Sequence, residues 1–262
     1  MNLQLENKRA LVTGSSRGIG EAIAKALAAE GTAVVVHGRD ETKTRRVADE
    51  ITRSGGRTTI AIGDLASDAE AQRVADAALA AFGGIDILVN NAGVFHVRGW
   101  WDTAPAQWIE IYNQNVAGSV RLIQALAPSM RERRWGRIIQ ISSGMGLLPS
   151  SQMADYASTK IVNILTTVSL SLELADSGVT VNTVSPGPIR TPGSDDFFET
   201  MARQHGTDAK DQMIEGMFSQ LTVRRFGQPQ EIADAVVFLA SPRASYINGV
   251  NLRVDGGYVK AF

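Results

Sequence analysis

Short apolar runs alternate with longer amphipathic stretches along the chain, and this alternation limits the possible folds more than any other feature. The apolar runs predict strands at residues 9–13, 33–37, 58–62, 85–89, 137–142, 180–185 and 250–254. The amphipathic stretches predict helices at residues 18–30, 42–54, 68–82, 105–133 and 154–177. Strands that alternate with helices form βαβ units with right-handed crossovers. We therefore expect an α/β fold, a doubly wound parallel sheet of about seven strands with helices on both faces and a ligand crevice at the strands' carboxyl ends.

Composition narrows the kind of ligand. The 262 residues are expected to form a single domain over 1–262, and their formal net charge is -1. No basic field is present to hold nucleic acid or an anionic membrane, so we expect a small-molecule partner and neither of those. The chain contains no cysteine, which excludes disulfides, thiolate metal sites and cysteine nucleophiles. The three histidines, His37, His96 and His205, are too scattered to predict a metal site.

The start of the chain and its most apolar stretch indicate a cytoplasmic protein. Charged residues interrupt the first apolar run before a signal sequence could form. The stretch 161–174 contains several polar residues and is shorter than the roughly 20 residues that span a bilayer. We expect a soluble protein without a membrane span.

Residues 186–228 interrupt the alternation because no strand is predicted there. Phenylalanine and methionine side chains recur in this segment at roughly helical spacings. One interpretation is a pair of amphipathic helices that covers the core, and the other is a mobile lid over a substrate. The second interpretation is the one we adopt: 186–228 is expected to be an insert that covers the substrate.

A glycine-rich turn follows the first predicted strand and leads directly into a helix. Its sequence runs from Thr13 through Gly14, Gly18 and Gly20. Glycines allow unusual dihedral angles and close backbone approach, and the free N–H groups of the helix start attract a diphosphate. A glycine pattern alone is weak, but its place between a strand and an amphipathic helix predicts dinucleotide binding.

Together, several motifs resemble the short-chain dehydrogenase/reductase (SDR) family, and the motif set is most similar to bacterial 3-oxoacyl-acyl-carrier-protein reductases. They are the GxxxGxG turn, the run Asn90-Asn91-Ala92-Gly93, Asn115, Pro186-Gly187, and Ser143 with Tyr156 and Lys160. The resemblance covers nearly the whole chain and implies a Rossmann-type catalytic domain. The cofactor-binding residues that it implies, together with those of the glycine turn, are Gly14, Ser16, Arg17, Gly18, Ile19, Gly20, Arg39, Asp64, Leu65, Asn91, Ala92, Gly93, Tyr156, Lys160, Pro186, Gly187, Ile189 and Thr191.

The end of the second predicted strand indicates which nicotinamide cofactor binds. Enzymes that use NAD usually place an acidic residue there for the ribose hydroxyls, and Gly38 occupies that position. Arg17 and Arg39 flank it and can form charge-assisted bonds with a 2′-phosphate. We therefore expect NADP(H). The alternative is that Asp40 binds the ribose and both arginines are ordinary surface residues.

Tyr156 and Lys160 are the expected centre of acid–base catalysis. They stand at positions i and i+4 of a predicted helix and project from one face. The ammonium should lower the pKa of the phenol and make it usable nearer neutral pH. Ser143 precedes Tyr156 by thirteen residues, as in the family, and strand alternation directs its rival Ser142 to the opposite face.

The predicted activity is hydride transfer that reduces a carbonyl to an alcohol, or the reverse. Tyr156 would exchange the proton and Ser143 would hold the carbonyl oxygen. By resemblance, Lys160 bonds the nicotinamide ribose, and Asn115 anchors a water that relays protons to Lys160. The alternative is a non-catalytic nucleotide-binding scaffold or sensor of the same fold.

Substrate and assembly are less constrained by the sequence. Apolar residues around the expected pocket predict an apolar or bulky substrate; they are Phe95, Met145, Leu147, Leu148, Met153 and Pro188, with His96 among them. In one interpretation Trp100 and Trp101 line the entrance of the same pocket, and in another they pack against the helix of Trp108.

A basic group near the end of the fourth predicted helix has two interpretations: it meets an acidic carrier protein, or it is an ordinary charged helix end. Its residues are Arg133, Arg134 and Arg137. By resemblance, we expect a homotetramer.

Overall fold

Seven strands form one parallel sheet in the computed structural model, which describes residues 2–260. Their order across the sheet is β3-β2-β1-β4-β5-β6-β7, so the crossover direction reverses between β1 and β4. The strands are β1 Arg9–Val12, β2 Ala33–Gly38, β3 Thr58–Ile62, β4 Ile87–Asn90, β5 Gly136–Ile141, β6 Val179–Pro186 and β7 Asn251–Val254. The predicted doubly wound α/β fold is confirmed, and its switch point places a ligand crevice beyond the carboxyl ends of β1 and β4.

Helices cover both faces of this sheet. They are α1 Gly18–Ala29, α2 Glu41–Arg53, α3 Asp68–Phe82, α4 Pro105–Tyr112, α5 Gly118–Glu132, α6 Ala154–Glu173, α7 Pro192–His205, α8 Thr207–Gln220 and α9 Pro229–Ala240. Helices α1, α2 and α9 pack on one face, while α3 and α5 pack on the other. Both faces of the sheet are therefore buried, which explains why the strands read as continuous apolar runs.

Successive strand residues divide between the two cores. In β1, Ala10 and Val12 belong to the core beneath α1, whereas Leu11 belongs to the core beneath α3 and α5. All three side chains are fully buried. Burial of a residue such as Leu11 contributes roughly 1.5–3 kcal/mol, so the alternating side chains fix which face each helix covers.

The helix predicted at 105–133 is interrupted. A π-helical turn, Asn113–Ala117, separates α4 from α5 and turns the buried side chain of Asn115 toward the loop after β4. The periodicity of the sequence could not predict this turn because a π-helical turn adds one residue without changing the residue types around it. Helix α9 was not predicted from the sequence. It begins where the Glu231 side chain accepts the Gln228 N–H at 2.8 Å.

Residues 186–228 form the helix pair α7 and α8. The N–H of Ser194 donates to the hydroxyl of Thr191, which caps α7. No strand lies within the pair in this described part of the chain; Ile189 and Gly227 form only an isolated parallel bridge. Among residues 2–260, no helix is both long and apolar enough to cross a membrane.

Candidate active site

The glycine turn after β1 adopts a conformation that only glycine tolerates well. Gly14 and Gly18 both have φ of +60°. A Cβ on Gly14 would lie 2.9 Å from the Cα of Ala92, and a Cβ on Gly20 would overlap the carbonyl oxygen of Gly14. The glycines therefore allow the turn to pack closely on α1 and on the segment after β4, which forms a backbone cradle at the start of α1.

The segment after β4 locks this cradle in place. The side-chain amide of Asn91 donates to the carbonyl oxygens of Thr13 at 2.9 Å and Gly14 at 3.1 Å. In return, the hydroxyl of Thr13 accepts the N–H groups of Asn91 and Ala92, both at 2.9 Å. Asn91 therefore holds the turn in shape, and Thr13 is a contributor that the sequence reading did not assign.

His37 is a further residue that the sequence reading missed. Its buried ring lies beneath the turn, where Nδ1 accepts the Gly14 N–H at 3.1 Å and Nε2 lies 3.1 Å from the Gly63 carbonyl oxygen. Burial lowers the pKa of His37 to about 4. The ring is therefore neutral at pH 7 and carries its proton on Nε2. The only signal in the sequence was one polar residue in an otherwise apolar strand.

A cleft of about 330 Å³ opens above the turn, and thirteen of the residues predicted for the cofactor line it. They are Gly14, Ser16, Arg17, Gly18, Ile19, Gly20, Arg39, Asp64, Leu65, Asn91, Ala92, Gly93 and Thr191. The other five, Tyr156, Lys160, Pro186, Gly187 and Ile189, line the neighbouring cavity described below. The structure therefore brings the whole predicted set together around two adjoining spaces.

The end of β2 leaves no room for an acidic side chain. A Cβ on Gly38 would overlap the hydroxyl of Thr44 and lie 3.0 Å from Ser16. Asp40 is not at the cleft; its carboxylate caps α2 by accepting the Lys43 N–H at 3.1 Å. Arg17 and Arg39 do line the cleft. This arrangement disfavours the interpretation in which Asp40 binds the ribose.

The cleft fits a dinucleotide. Gly14, Gly18 and Gly20 line it, and a Cβ at Gly14 or Gly20 would clash with Ala92 or with the Gly14 carbonyl and deform the turn at the start of α1. Two arginines line it, and their weak ion pairs, Arg17 with Asp196 and Arg39 with Asp64, each measure 3.8 Å. Such long, exposed pairs hold the guanidinium groups loosely, which leaves them free to bind a phosphate.

The adjoining cavity, of about 350 Å³, contains Ser143, Tyr156 and Lys160. The Ser143 hydroxyl accepts the Met145 N–H at 3.1 Å, and it lies near enough to the Tyr156 phenol to act on its pKa. Ser142 instead donates to the Lys160 carbonyl oxygen at 2.7 Å, so the two neighbouring serines serve different partners. Ser143 is thus the serine at the tyrosine, as the spacing predicts.

Burial has the largest effect on the pKa of both Tyr156 and Lys160. It raises the pKa of Tyr156, while the Ser143 hydrogen bond acts in the opposite direction. Burial also lowers the pKa of Lys160 to about 8, and its ammonium donates to the Ile141 carbonyl oxygen at 3.0 Å. The expected lowering of the Tyr156 pKa by Lys160 is not observed because Nζ lies 5.5 Å from the ring centroid and burial outweighs it.

Asn115 lies behind the cavity wall. Its side chain is buried, accepts the Val94 N–H at 2.8 Å, and donates to the Val94 carbonyl at 2.8 Å and the Thr159 hydroxyl at 3.1 Å. These bonds fasten the loop after β4 to the helix that carries Tyr156 and Lys160. Asn115 lines neither space, so its side chain contributes position rather than direct contact.

A buried ion pair beside Tyr156 was not predicted. Asp155 is 1% exposed, and its carboxylate accepts bonds from the Arg98 guanidinium at 2.7 and 3.1 Å. The other carboxylate oxygen accepts the N–H of Tyr156 at 2.8 Å. Arg98 and Asp155 therefore fix the start of α6 to the loop after β4. Fifty-seven residues separate the two, so no local pattern could have linked them.

The rest of the cavity is largely apolar, and several distant segments supply its wall. The apolar residues with the largest side chains are Phe95, Met145, Met153, Phe197, Phe198, Met217, Phe226 and Tyr258. Phe95 packs edge-on against Tyr156 with ring centroids 5.9 Å apart. Three expected residues, His96, Leu147 and Leu148, are absent from this wall.

The predictions for the tryptophans and for Arg137 have different outcomes. Trp100 packs against Trp108 at a centroid distance of 5.3 Å, as the packing interpretation states, while Trp101 is 98% exposed and neither lines the cavity. Arg137 is buried beside the Trp135 ring, so it is not available to a carrier protein. Within residues 2–260, no group of three or more histidine or acidic side chains is placed to hold a metal ion.

Comparisons with known proteins agree with this geometry. Residues 14–259 match the family model described as enoyl-(acyl carrier protein) reductase. The chain is 36% identical to the uncharacterized oxidoreductase YvaG of Bacillus subtilis, over 100% of this chain and 99% of YvaG. It is also 38% identical to the 3-oxoacyl-[acyl-carrier-protein] reductase FabG of Escherichia coli, over 97% of this chain and 98% of FabG.

A solved structure is similar over the full length. L-Sorbose reductase from Gluconobacter frateurii, complexed with NADPH and L-sorbose, has a TM-score of 0.95 and 31% sequence identity to this chain. The similarity covers 100% of both chains.

Proposed function

The chain belongs to the short-chain dehydrogenase/reductase family, and we propose that it is an NADP(H)-dependent oxidoreductase that interconverts a carbonyl and an alcohol. It would act on the CH–OH group when it runs toward oxidation. One observation carries the proposal: Ser143, Tyr156 and Lys160 line one cavity, which shares Gly93, Val94 and Thr191 with the dinucleotide cleft. A carbonyl held at the two hydroxyls would lie beside the end of a dinucleotide bound in the cleft.

The choice of NADP(H) is supported by charge and space. Arg17 and Arg39 line the cleft, and the crowding at Gly38 leaves no place for an acid that would repel a 2′-phosphate. The structural neighbour from Gluconobacter frateurii was solved with NADPH. We assign Arg17 and Arg39 to the 2′-phosphate, and the glycines of the turn to the diphosphate.

Within the cavity, the proposed roles follow from the hydroxyl groups. A bound nicotinamide supplies or accepts the hydride. Tyr156 donates its proton to the carbonyl oxygen as the alcohol forms, and it takes the proton back in the reverse direction. Ser143 holds the same oxygen by a hydrogen bond. Lys160 places a positive charge near the phenol, which favours the phenolate left after proton transfer.

The substrate is proposed to be apolar or bulky because aromatic and methionine side chains form most of the cavity wall. Helices α7 and α8 contribute Phe197, Phe198 and Met217 to this wall. We therefore propose that the insert 186–228 covers the substrate. A homotetramer in the cytoplasm stays a prediction from the sequence.

The direct test follows the oxidation of NADPH and NADH by purified protein with several carbonyl compounds. The panel contains a 3-oxoacyl thioester, aryl ketones, 1,2-diketones and, because of the family model's description, an enoyl thioester. We expect NADPH to be preferred and a ketone to be reduced. Tyr156→Phe should lower kcat/KM by a factor of about 10²–10⁴.

Tyr246→Phe is the matched control because this tyrosine is fully exposed and lines neither space. Its kcat/KM should equal that of the unsubstituted protein. Tight NADPH binding without turnover of any compound would favour the non-catalytic scaffold. A preference for NADH would contradict the roles assigned to Arg17 and Arg39.

A further inference from the structure

Tyr258 has a hydroxyl without a strong hydrogen-bond partner. Its only partner among the described residues is the thioether sulfur of Met145, at 3.6 Å. A thioether is a weak acceptor, whereas a phenol in partly buried surroundings normally finds a strong one. The ring nevertheless lines the cavity that contains Ser143 and Tyr156.

The other polar side chains of the cavity wall are already engaged. Asn91 holds the glycine turn, Ser142 donates to the Lys160 carbonyl, and Lys160 donates to the Ile141 carbonyl. Thr191 and Ser194 bond each other at the start of α7. Ser143 accepts the Met145 N–H at 3.1 Å, and the proposed mechanism assigns the hydroxyls of Ser143 and Tyr156 to the reacting oxygen. The donors that remain in the described wall are on Lys160, which belongs to the proposed catalytic set, on Thr191, which also lines the dinucleotide cleft, and on Tyr258. Tyr258 is therefore the spare donor of the substrate part of the wall.

The chain segment after β7 holds Tyr258 firmly in place. The Asp255 carboxylate accepts the N–H groups of Gly257 and Val259, each at 3.0 Å, and the Asp255 carbonyl accepts the Tyr258 N–H at 3.1 Å. The side chain of Val259 is buried, which anchors the far side. The phenol is therefore presented to the cavity by a fixed backbone, not by a flexible end.

The ring of Tyr258 also lies close to the reacting groups. It packs on Gly144, the residue after Ser143, so closely that a Cβ on Gly144 would lie 2.9 Å from Cδ1 of the ring. The hydroxyl points toward Met145, one residue further along the same turn. A substrate whose carbonyl oxygen is held at Ser143 would thus extend past the Tyr258 phenol.

We propose that Tyr258 is a specificity-determining residue that donates a hydrogen bond to a second oxygen of the substrate. The preferred substrates are then apolar carbonyl compounds that carry another hydrogen-bond acceptor, such as keto esters or diketones. This inference rests on the proposed function of the site. In a wall that is otherwise apolar or engaged, one such bond is enough to discriminate between substrates.

The experiment compares keto esters with alkanones of equal length. The 2-oxo, 3-oxo and 4-oxo ethyl esters place the second oxygen at increasing distances from the carbonyl, so that the unknown spacing is covered. The unsubstituted enzyme should prefer at least one keto ester, and Tyr258→Phe should lower its kcat/KM ratio over the matched alkanone about tenfold. The inherent reactivity of an ester-activated ketone cancels when the ratios of the two enzymes are compared.

Tyr246→Phe removes the same hydroxyl from a fully exposed tyrosine and should leave every ratio unchanged. Thermal unfolding of Tyr258→Phe, with a Tm close to that of the unsubstituted protein, establishes that the ring still packs on Gly144. Equal ratios for Tyr258→Phe and the unsubstituted enzyme with all three esters would overturn the inference while leaving the proposed function intact. Failure to reduce any of the esters while other ketones of the panel are reduced would overturn the inference alone. Failure with every carbonyl compound would overturn the proposed function as well.

Discussion

The cofactor cleft and the substrate cavity share six wall residues, yet they are built differently. The cleft is more polar than the cavity and rests on glycines, tight turns and hydrogen bonds that allow little change. The cavity is apolar, and its wall is assembled from the loop after β4, the turn at Ser143, helices α7 and α8, and the segment after β7. The comparison indicates that a cleft for a constant ligand is fixed by backbone geometry, whereas a cavity for a varying ligand is fixed by replaceable side chains.

Substitution of a cradle glycine should have the largest effect. In Gly20→Ala, the new methyl group would overlap the Gly14 carbonyl oxygen and press on Asn91. We expect the Kd for NADPH to rise at least a hundredfold, or about 3 kcal/mol, as measured by fluorescence titration. Gly216→Ala in α8, where a Cβ would meet nothing within 4 Å, is the control and should leave the Kd unchanged. An unaltered Kd in Gly20→Ala would mean that the cradle does not hold the cofactor.

Loss of the ion pair between Arg98 and Asp155, which joins the loop after β4 to α6, should have the next largest effect. Asp155→Asn keeps an acceptor for the Tyr156 N–H but leaves the Arg98 guanidinium without its counter-charge. We expect the free energy of unfolding to fall by about 2–3 kcal/mol and kcat to fall with it, because the start of α6 loses its anchor. Urea unfolding and steady-state kinetics measure the two effects.

Glu199→Gln, which breaks an exposed ion pair, is the control for Asp155→Asn. Glu199 bonds Arg203 at 3.4 Å on the exposed face of α7, where an ion pair stabilises little. Its unfolding curve should overlay that of the unsubstituted protein. Equal effects of Asp155→Asn and Glu199→Gln would contradict the anchoring role of Asp155.

Lys160, at the reacting end of the cavity, should reveal the stability cost of a buried charge. Burial lowers the pKa of Lys160 from 10.5 to about 8. At any pH below 8, the buried charge therefore lowers the free energy of unfolding by about 3 kcal/mol. Lys160→Met removes this cost but also the bond to the Ile141 carbonyl, so we expect a net gain of about 1–2 kcal/mol at pH 7, with loss of activity.

The gain should depend on pH in a defined direction. Between pH 8 and 10.5, the unfolded chain binds more protons at Lys160 than the folded protein does, so the unsubstituted protein becomes relatively more stable as the pH rises. The advantage of Lys160→Met should therefore shrink across this window in urea unfolding. The exposed Lys43→Met serves as control; a constant advantage from pH 7 to 10 would mean that Lys160 does not titrate as proposed.

The cavity wall should tolerate change best. Phe197→Ala enlarges the cavity without touching the glycine turn. We expect the Kd for NADPH to stay within about twofold, while the kcat/KM ratio of a bulky over a small ketone rises about tenfold, or roughly 1.4 kcal/mol. Phe82→Ala on α3, which lines neither space, should leave that ratio unchanged. A large loss of NADPH affinity in Phe197→Ala would erase the distinction between the two regions.

Local sequence patterns were sufficient to predict the parts of the molecule that are built from neighbouring residues. Periodicity gave all seven strands to within two residues at each end, because both faces of the sheet are buried and apolar runs are required. The turn from Gly14 to Gly20 and the pair Tyr156 and Lys160 were predicted because one strand–turn–helix unit or one helical turn fixes their geometry locally.

The contacts between distant residues depend on the whole fold. The order of the strands brings together segments that are far apart along the chain. Examples are His37 beneath the glycine turn, Arg98 at Asp155 and Tyr258 over Gly144. Burial, which sets the pKa of Tyr156 and Lys160, likewise depends on everything packed around them. Local patterns encode backbone geometry, but desolvation and long-range contact are sums over the whole fold, and these set the chemistry of the site.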